Sequence, residues 1–225
     1  MKKLIEKVRI STEFTLLSGL HIGGSKESVE IGGIDSPVIK IGTRNGEPYI
    51  PGSSIKGKIR CLLEQSKGIV EVGGGLRRKY SEKEEDCQKI IDLFGFGNDG
   101  IPSRLICRDA YLTKESLVLL ENSKAFLDMP FTENKYENTI DRLTGKTKNG
   151  GLRQIERVPA GVVFHVEFVI NVWDTVDDKE QSISLLKQGL QKLELDYIGG
   201  SGSRGYGHIA INWDMFNKYE PVPFT

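Results

Sequence analysis

The chain has 225 residues, of which 38% are hydrophobic and 28% are charged. This composition excludes an intrinsically disordered protein and indicates a globular one that can bury a sizeable core. Lys plus Arg equals Asp plus Glu at 31 each, and the resulting zero net charge argues against a free-standing, non-specific nucleic-acid binder without excluding local basic grooves.

The sequence also gives an expectation for the cellular setting. No apolar run approaches the roughly 20 residues of a membrane helix, and the basic N-terminal segment lacks the apolar centre of a signal peptide. The cysteines Cys61, Cys87 and Cys107 are odd in number, far apart and without metal-ligand spacing. We therefore expect a cytoplasmic protein that has no membrane partner.

The first predicted element is a half-buried strand at residues 8–16, where apolar and polar side chains alternate. A glycine-containing turn follows and carries His21. An isolated histidine of this kind is either a structural hydrogen-bonding group or a catalytic one.

Residues 25–40 form a predicted loop with the central run Gly-Gly-Ile-Asp-Ser-Pro-Val-Ile. The two glycines and the proline would present the carboxylate of Asp35 rigidly at the surface. The alternative is an aspartate that accepts backbone hydrogen bonds in a turn, and the residue chemistry alone favours that alternative.

The next segment predicts an amphipathic helix after Pro51 and Gly52, with Ser53 or Ser54 as its N-cap. Lys56 and Arg60 lie four residues apart and so share one face of this helix. A helix N-terminus with nearby cations favours phosphate binding, whereas the alternative is an ordinary helix whose basic side is solvated.

Three further segments precede the second half of the chain. Residues 66–86 are typical of a mobile insertion, and residues 104–112 are typical of a strand. Residues 122–158 are polar and irregular, and a non-repetitive segment of this length is usually functional or disordered.

The second half repeats the order strand, helix, strand. Alternation predicts a strand at 162–172, three- and four-residue spacing predicts a helix at 180–197, and alternation predicts a last strand at 208–213. Two such halves favour an α+β fold with an antiparallel sheet, of the ferredoxin-like kind.

A glycine-rich loop, Gly199 to Gly207, connects that helix to the last strand. Gly200, Gly202 and Gly205 match G-x-G-x-x-G, but the helix-to-strand order argues against a dinucleotide site. Peptide N–H groups of such a loop can bind anions, Arg204 suits a phosphate, and the ring of Tyr206 could stack on a base. The alternative is a glycine-rich helix terminus without a ligand.

These segments together resemble the RAMP superfamily. The resemblance rests on Gly-Leu-His-Ile-Gly, Gly-Gly-Ile-Asp-Ser-Pro-Val-Ile, Tyr-Ile-Pro-Gly-Ser-Ser-Ile-Lys-Gly-Lys-Ile-Arg, Glu-Asn-Thr-Ile-Asp-Arg-Leu-Thr-Gly, Glu-Arg-Val-Pro-Ala-Gly and the glycine-rich loop. It extends from about residue 8 to residue 213. Within the superfamily, the pattern is similar to the repeated backbone subunit of type III-A CRISPR effector complexes, the Csm complexes.

The resemblance implies a fold and an activity. We expect one domain over residues 1–225, a modified RNA-recognition-motif core with a thumb-like hairpin insertion at about 122–158. Copies of such a subunit stack along a guide RNA beside other Csm-complex subunits and cleave the complementary target RNA at regular intervals. The cleavage depends on Mg²⁺ or another divalent cation.

The resemblance also implies roles for particular residues. Asp35 is the expected catalytic residue and metal ligand, which overturns the structural interpretation of its loop. Glu137, Asp141 and Glu156 are the candidates for completing the metal site. The expected RNA-binding residues come from the first turn, the helix after Pro51, the thumb and the glycine-rich loop: His21, Lys56, Arg60, Asn138, Arg142, Gly200, Ser201, Ser203, Arg204, Gly205 and Tyr206. No role is implied for the insertion at 66–86.

Two other functions remain open at this point. One is a guide-RNA processing endoribonuclease of the same superfamily, in which His21 would perform acid–base chemistry. The other is a non-catalytic scaffold that only binds guide RNA. The Asp35 loop and the long thumb segment favour the backbone subunit over both.

Overall fold

The computed structural model describes residues 3–24, 36–69, 84–96, 101–174 and 179–223. The strands are β1 (Leu4–Leu16), β2 (Lys40–Ile41), β3 (Glu47–Ile50), β4 (Leu105–Cys107), β5 (Ala110–Leu112), β6 (Glu133–Glu137), β7 (Arg153–Arg157), β8 (Val163–Trp173), β9 (Ile209–Ile211) and β10 (Glu220–Pro223). The helices are α1 (Gly52–Lys67), α2 (Glu84–Phe94), α3 (Lys114–Asn122), α4 (Lys179–Leu195) and α5 (Trp213–Phe216).

Eight of the described strands form one antiparallel sheet, with β1 and β8 at its centre. β9 and β10 pair with the outer edge of β1, and β4 and β5 pair with the outer edge of β8. β3 and β2 extend the sheet beyond β5. With α1 and α4 packed against each other, this order is the ferredoxin-like arrangement and confirms the predicted fold class.

The core lies between the sheet and these two helices. Phe14 of β1 and the neighbouring Phe164 and Phe168 of β8 are fully buried, and each contributes about 1.5–3 kcal/mol of burial free energy. Ile59 and Leu63 of α1 pack against Gly189 of α4, where a Cβ atom would lie 3.1 Å from Leu63 Cδ1 and would overlap Ile59. The missing side chain therefore allows close contact between the two helices.

Several predicted boundaries differ from the structure. The strand expected at 104–112 is two short strands, because Arg108 and Asp109 interrupt it, and Asp109 Oδ1 instead accepts a hydrogen bond from Gly52 N at 2.8 Å. The helix expected at 180–197 ends at Leu195, and the strand expected to reach Trp213 ends at Ile211. Trp213 begins α5, whose N-cap Asn212 accepts a hydrogen bond from Met215 N.

The expected insertion at 66–86 is described only at its two ends. α1 continues through Lys67, and Gly68 ends it in a left-handed conformation. α2 begins at Glu84, and residues 70–83 lie outside the described residues. Among the residues described, no helix combines the length and the apolar character that crossing a membrane would require.

Candidate nucleic-acid interface

The glycine-rich loop is joined by backbone hydrogen bonds to the turn that follows β1. Gly200 N donates to His21 O at 2.8 Å, and Gly207 N donates to Gly19 O at 3.0 Å. A further hydrogen bond, from Ile198 N to Gly207 O at 2.9 Å, joins the two ends of the loop. The loop and the turn therefore form one unit at the end of the central strand.

Close packing explains part of the glycine content of this loop. Gly199 and Gly207 both have positive φ angles, at 82° and 68°. A Cβ atom at Gly199 would overlap the carbonyl oxygen of His21, and one at Gly207 would overlap that of Ile198. The structural interpretation of the loop is thus correct for these two positions.

Arg204 is the cation that this loop presents to solvent. Its side chain is 48% exposed, and Nη2 donates to the Ser201 hydroxyl at 2.6 Å. Ser203 is exposed beside it, and Ser201 itself adopts the left-handed conformation with a φ of 61°. Arg204 and Ser203 are therefore both exposed, and phosphate binding by them stays a prediction.

Tyr206 does not present its ring as expected. The side chain is only 1% exposed, and Lys135 Nζ lies 4.3 Å above the ring centre, with Arg157 Cζ at 5.4 Å. Base stacking on Tyr206 is incompatible with this burial, so that part of the prediction is corrected. Burial, reinforced by the neighbouring carboxylate of Glu137, raises the pKa of Tyr206 to about 12.

The hairpin β6–β7 lies beside the loop as a separate two-stranded sheet. Part of the segment 122–158, which was expected to be irregular, is therefore regular. In this hairpin Glu133 lies opposite Arg157, and Glu137 lies opposite Arg153. Arg157 and Glu133 form an ion pair at 2.6 Å. The alternate residues Glu133, Lys135 and Glu137 are directed toward the body of the protein, since Lys135 covers Tyr206 and Glu137 contacts Arg204.

Glu137 lies among cations of the hairpin and the loop. Its Oε2 is 3.3 Å from Arg204 Nη1, and its Oε1 is 3.7 Å from Lys135 Nζ. Burial alone would raise the pKa of the Glu137 carboxyl, but the Tyr206 hydroxyl and the positive charges of Arg204, Lys135 and Arg153 together lower it. Three cations against one carboxylate leave this surface with a net charge of about +2, which suits a polyanion.

His21 connects the turn, the hairpin and the segment after Asp35. Its Nδ1 lies 2.7 Å from the carbonyl oxygen of Glu156. A carbonyl oxygen only accepts hydrogen bonds, so Nδ1 is the donor in this contact. Glu156 N in turn donates to Ser36 O at 3.2 Å, next in sequence to Asp35.

Asp35 itself lies outside the described residues. The structure describes the segment directly after it, where Ser36 pairs in parallel with Ile155 of β7 and Ile39 N donates to Ile22 O at 2.9 Å. The chain leaving Asp35 is therefore held between the base of the hairpin and the turn that carries His21.

The carboxylate of Glu156 fixes this segment from inside the protein. The residue is 1% exposed; its Oε2 accepts a hydrogen bond from Val38 N at 2.9 Å, and its Oε1 accepts one from the Thr132 hydroxyl at 2.7 Å. Lys40 completes the set with an ion pair. Glu156 is thus a structural anchor, and sequence reasoning missed this role because its partners come from separate segments.

The described residues do not form a metal site on their own. No group of three potential ligands occurs among them, and the three carboxylates considered as partners of Asp35 have other contacts. Glu137 and Glu156 are paired as above, and Asp141 Oδ1 accepts hydrogen bonds from Leu143 N and Thr144 N, both at 2.9 Å. A divalent cation held by Asp35 would need oxygen ligands from elsewhere, a class that includes RNA phosphates.

Lys56 and Arg60 make internal contacts on α1. Lys56 Nζ donates to Leu105 O at 2.8 Å and to the Ser103 hydroxyl, and burial lowers its pKa. Arg60 Nε donates to Glu64 at 2.6 Å, and its Nη1 donates to Gly95 O at 3.0 Å. The N-cap of α1 is Pro51, without a side-chain hydrogen bond, instead of the expected serine. Guide-phosphate binding by Lys56 and Arg60 stays a prediction.

The expected thumb residues lie at the far end of the hairpin. We call residues 139–151 the thumb tip. Asn138, at its base, bonds Thr139 N and the Thr147 hydroxyl, both at 3.1 Å, whereas Arg142 is exposed. Leu143 at the tip is 98% exposed, so an apolar side chain projects into solvent. RNA contacts by Asn138 and Arg142 stay a prediction.

Sequence reasoning missed the cations Lys135, Arg153 and Arg157 as members of the site. A period-two signal was present, because Glu133, Lys135 and Glu137 alternate in the sequence. Such alternation predicts a strand with one charged face, and the hairpin register then brings Arg153 and Arg157 opposite it. The pattern is short and its neighbours are also polar, so it was not recognised as a strand.

Comparisons with known proteins agree with the resemblance seen in the sequence. The family model described as the RAMP superfamily matches residues 13–210. The chain is 45% identical over 206 residues to a protein of Methanocaldococcus jannaschii named CRISPR system Cms endoribonuclease Csm3, covering 91% of this chain and 78% of that one. A protein of the same name from Streptococcus thermophilus is 40% identical over 209 residues, with coverages of 91% and 87%.

Solved structures show the same fold. A crystal structure of a Csm3–Csm4 subcomplex in the type III-A CRISPR-Cas interference complex contains a chain with a TM-score of 0.54 and 27% identity, covering 98% of this chain and 90% of that one. A chain of the type III-B Cmr-β complex bound to cognate target RNA has a TM-score of 0.61 at 16% identity, covering 98% of this chain and 61% of that one, and supports the fold alone. The chain therefore belongs to the RAMP superfamily and, within it, to the family of the Csm3 proteins.

Proposed function

We propose that this chain is the backbone subunit of a type III-A CRISPR effector complex, which binds guide RNA and cleaves complementary target RNA. Its relatives are named endoribonucleases of a CRISPR system, and a Csm3–Csm4 subcomplex of the type III-A complex contains a similar chain. The partners in this proposal are guide RNA, target RNA, further copies of the chain and other Csm-complex subunits.

One structural observation carries the proposal. The cationic surface of Arg204, Lys135 and Arg153 lies beside the turn of His21, and the segment that follows Asp35 is bonded to the same hairpin. A cationic surface, the ring of His21 and the segment that follows Asp35 thus meet in one region. This arrangement is what a nuclease requires of its backbone-binding and proton-handling groups.

The proposed mechanism uses the 2′-hydroxyl of the target RNA as the nucleophile. In-line attack of the 2′-oxygen on the adjacent phosphorus forms a 2′,3′-cyclic phosphate and breaks the bond from phosphorus to the 5′-oxygen. The 2′-hydroxyl loses a proton, and the departing 5′-oxygen takes one up. The attack requires a nucleotide removed from the helical stack, and we assign that positioning to the thumb tip. Arg204, Lys135 and Arg153 would stabilise negative charge on the RNA backbone, and Asp35 would act at the scissile phosphate. Because each copy carries one Asp35, repetition of copies would space the cuts regularly.

We further propose that cleavage requires a divalent cation such as Mg²⁺, with Asp35 as one of its ligands. A bound cation would neutralise charge that develops on the phosphate. The described carboxylates do not complete such a site, so the requirement has to be tested directly.

The test compares wild type with Asp35→Ala in the assembled complex with guide RNA and labelled complementary RNA, in magnesium and in chelator. Loss of the catalytic carboxylate should reduce cleavage by a factor of about 100 or more while binding is retained. Asp214→Ala, which removes an exposed carboxylate of α5, is the matched control and should leave the product ladder unchanged.

The other outcomes separate the remaining functions. Equal ladders from wild type and Asp35→Ala would place catalysis elsewhere. No ladder from either protein, with binding retained, would leave an RNA-binding scaffold. Cleavage of free precursor guide RNA that His21→Ala abolishes would support the processing nuclease, in which His21 would perform the acid–base chemistry.

A further inference from the structure

The ion pair between Glu137 and Arg204 joins two elements that lie far apart in the sequence. Glu137 ends strand β6 of the hairpin, and Arg204 belongs to the glycine-rich loop. The carboxylate is 10% exposed, whereas the guanidinium group is 48% exposed. The anion is therefore largely covered at the end of β6 that leads to the thumb tip, and the cation lies at the surface.

The guanidinium group of Arg204 has two partners in this structure. Nη1 is 3.3 Å from Glu137 Oε2, a distance too long for a strong charge-assisted hydrogen bond, while Nη2 donates to Ser201 at 2.6 Å. Glu137 Oε2 is buried and has no hydrogen-bond partner of good geometry among the described residues, although the Tyr206 hydroxyl lies close enough to help lower the pKa of the Glu137 carboxyl. The interaction between Glu137 and Arg204 is thus electrostatic, without a well-formed hydrogen bond to the Glu137 carboxylate.

We propose that Glu137 is a positioning residue that acts as an intramolecular substitute for RNA phosphate. It neutralises Arg204 in the RNA-free chain, and an RNA phosphate displaces it from the guanidinium group. The inference rests on the proposed function, because it assumes that Arg204 binds RNA.

The neighbouring charges make this exchange feasible. When Arg204 turns to RNA, Glu137 keeps Lys135 and Arg153 as compensating cations, so its buried carboxylate is not left without an opposite charge. The lowered pKa of Glu137 is consistent with a carboxylate that remains ionised throughout. RNA binding would then loosen the contact between the loop and the hairpin.

The proposal predicts tighter RNA binding when the internal anion is removed. We would measure binding of a fluorescent single-stranded RNA to the full chain by anisotropy over a series of salt concentrations. Glu137→Gln should bind about threefold more tightly, as expected for the loss of a partly exposed competing ion pair. The slope of log affinity against log salt should stay close to that of wild type, because the contact between Arg204 and phosphate forms in both proteins. A slope steeper by about 0.7 would mean that the variant gains a phosphate contact that wild type lacks, and would count against displacement.

Two further variants make the test specific. Glu121→Gln changes net charge equally but removes an exposed carboxylate of α3, so it should leave affinity unchanged. In an Arg204→Ala background, Glu137→Gln should give no gain, because the residue through which Glu137 acts is absent. Glu137→Ala should reproduce the gain if the amide of Gln disturbs the buried site, and thermal unfolding verifies the fold of each variant.

The outcomes distinguish this inference from the proposed function. Equal or weaker binding by Glu137→Gln and Glu137→Ala, or a gain that persists without Arg204, would overturn the role of Glu137 while leaving RNA binding intact. Absence of RNA binding by wild type, or unchanged binding by Arg204→Ala alone, would instead overturn the phosphate-binding role of Arg204 on which the inference depends.

Discussion

Gly205 and Gly207 separate two reasons for which a position requires glycine. Both have positive φ angles, at 85° and 68°. A Cβ atom at Gly205 would have no neighbour within 4 Å, whereas one at Gly207 would overlap the carbonyl oxygen of Ile198. The first position is restricted by backbone conformation alone, and the second also by close packing.

The difference gives a prediction for two alanine variants. Gly205→Ala should lower the free energy of unfolding by about 1 kcal/mol, which is the conformational cost of a left-handed residue. Gly207→Ala should lower it by about 3 kcal/mol, because overlap with the backbone adds to that cost. Urea denaturation of both variants measures the difference, and equal losses would show that packing around Gly207 relaxes freely.

At the residue scale, sequence reasoning predicted the exposure of Arg204 but not the contacts of Tyr206. Arg204 is exposed as expected, because a long cation in a glycine-rich loop has few neighbours to cover it. Tyr206 is buried beneath Lys135, and that contact comes from a hairpin about 70 residues away. No local pattern contains such a long-range partner.

At the element scale, period-two alternation was the most informative signal. Every position predicted to face inward in the first strand is buried, from Val8 to Leu16, including Thr12, whose hydroxyl donates to Asn212 O at 2.8 Å. Alternation fails where an element is short or interrupted, as at Arg108 and Asp109. Arg108 N still donates to Glu167 O of β8, but the side chain of Asp109 caps α1, and this capping depends on tertiary contact.

Helix α1 illustrates why a basic helix face does not by itself define a phosphate site. Lys56 has the spacing expected of a solvated or phosphate-binding face, but β4 lies within reach of its ammonium group. The sequence could not show this neighbour, because residues 103–105 follow the helix by about 40 positions. The contact fastens α1 to the strand that borders β8.

We expect Lys56→Met to destabilise the fold. The variant keeps the apolar stem but removes the hydrogen bonds to Ser103 and Leu105 O, and the net cost should be about 1–2 kcal/mol because relief of lysine desolvation offsets part of it. Lys58→Met is the matched control on the same helix. It loses a partly exposed pair with Asp196 and the contact of Nζ with the Tyr197 ring at 3.7 Å, and each loss should cost less than about 1 kcal/mol.

Urea denaturation and RNA binding together decide between the two roles of Lys56. A lower free energy of unfolding, with RNA affinity unchanged for the folded variant, would establish a structural role. An unchanged free energy of unfolding with weaker binding would support the phosphate contact expected from the family resemblance.

At the scale of the whole molecule, the order of elements could be predicted, but the position of the hairpin could not. Two strand–helix–strand halves leave few antiparallel arrangements, and the observed sheet is the ferredoxin-like one. The hairpin forms its own two-stranded sheet and contacts the rest through Glu156, Lys135 and Glu137. These are side-chain contacts between distant segments, and sequence periodicity does not encode them.

Because the hairpin forms a sheet of its own, we predict that the thumb tip is dispensable for folding and required for cleavage. The tip contributes no buried side chain of the core, and Ile140 and Leu143 are both exposed in it. Asn138 and Leu152 continue the register of β6 and β7, so an Asn-Gly turn can replace residues 139–151 without shifting the pairing. The shorter loop should leave the free energy of unfolding unchanged or raise it by about 1 kcal/mol.

Thermal unfolding of the shortened chain and target cleavage by its assembled complex test the two halves of this prediction. We expect a native unfolding midpoint together with loss of the cleavage ladder, because the nucleotide at each cut would no longer be displaced from the stack. A variant with alanine at Leu143 and Ile140 is the milder control, since it keeps the tip backbone and its cations. Normal cleavage by the shortened chain would show that the thumb tip has no part in the mechanism. A thermal unfolding midpoint lowered by several degrees would show that the tip supports the fold through its bonds to Asn138.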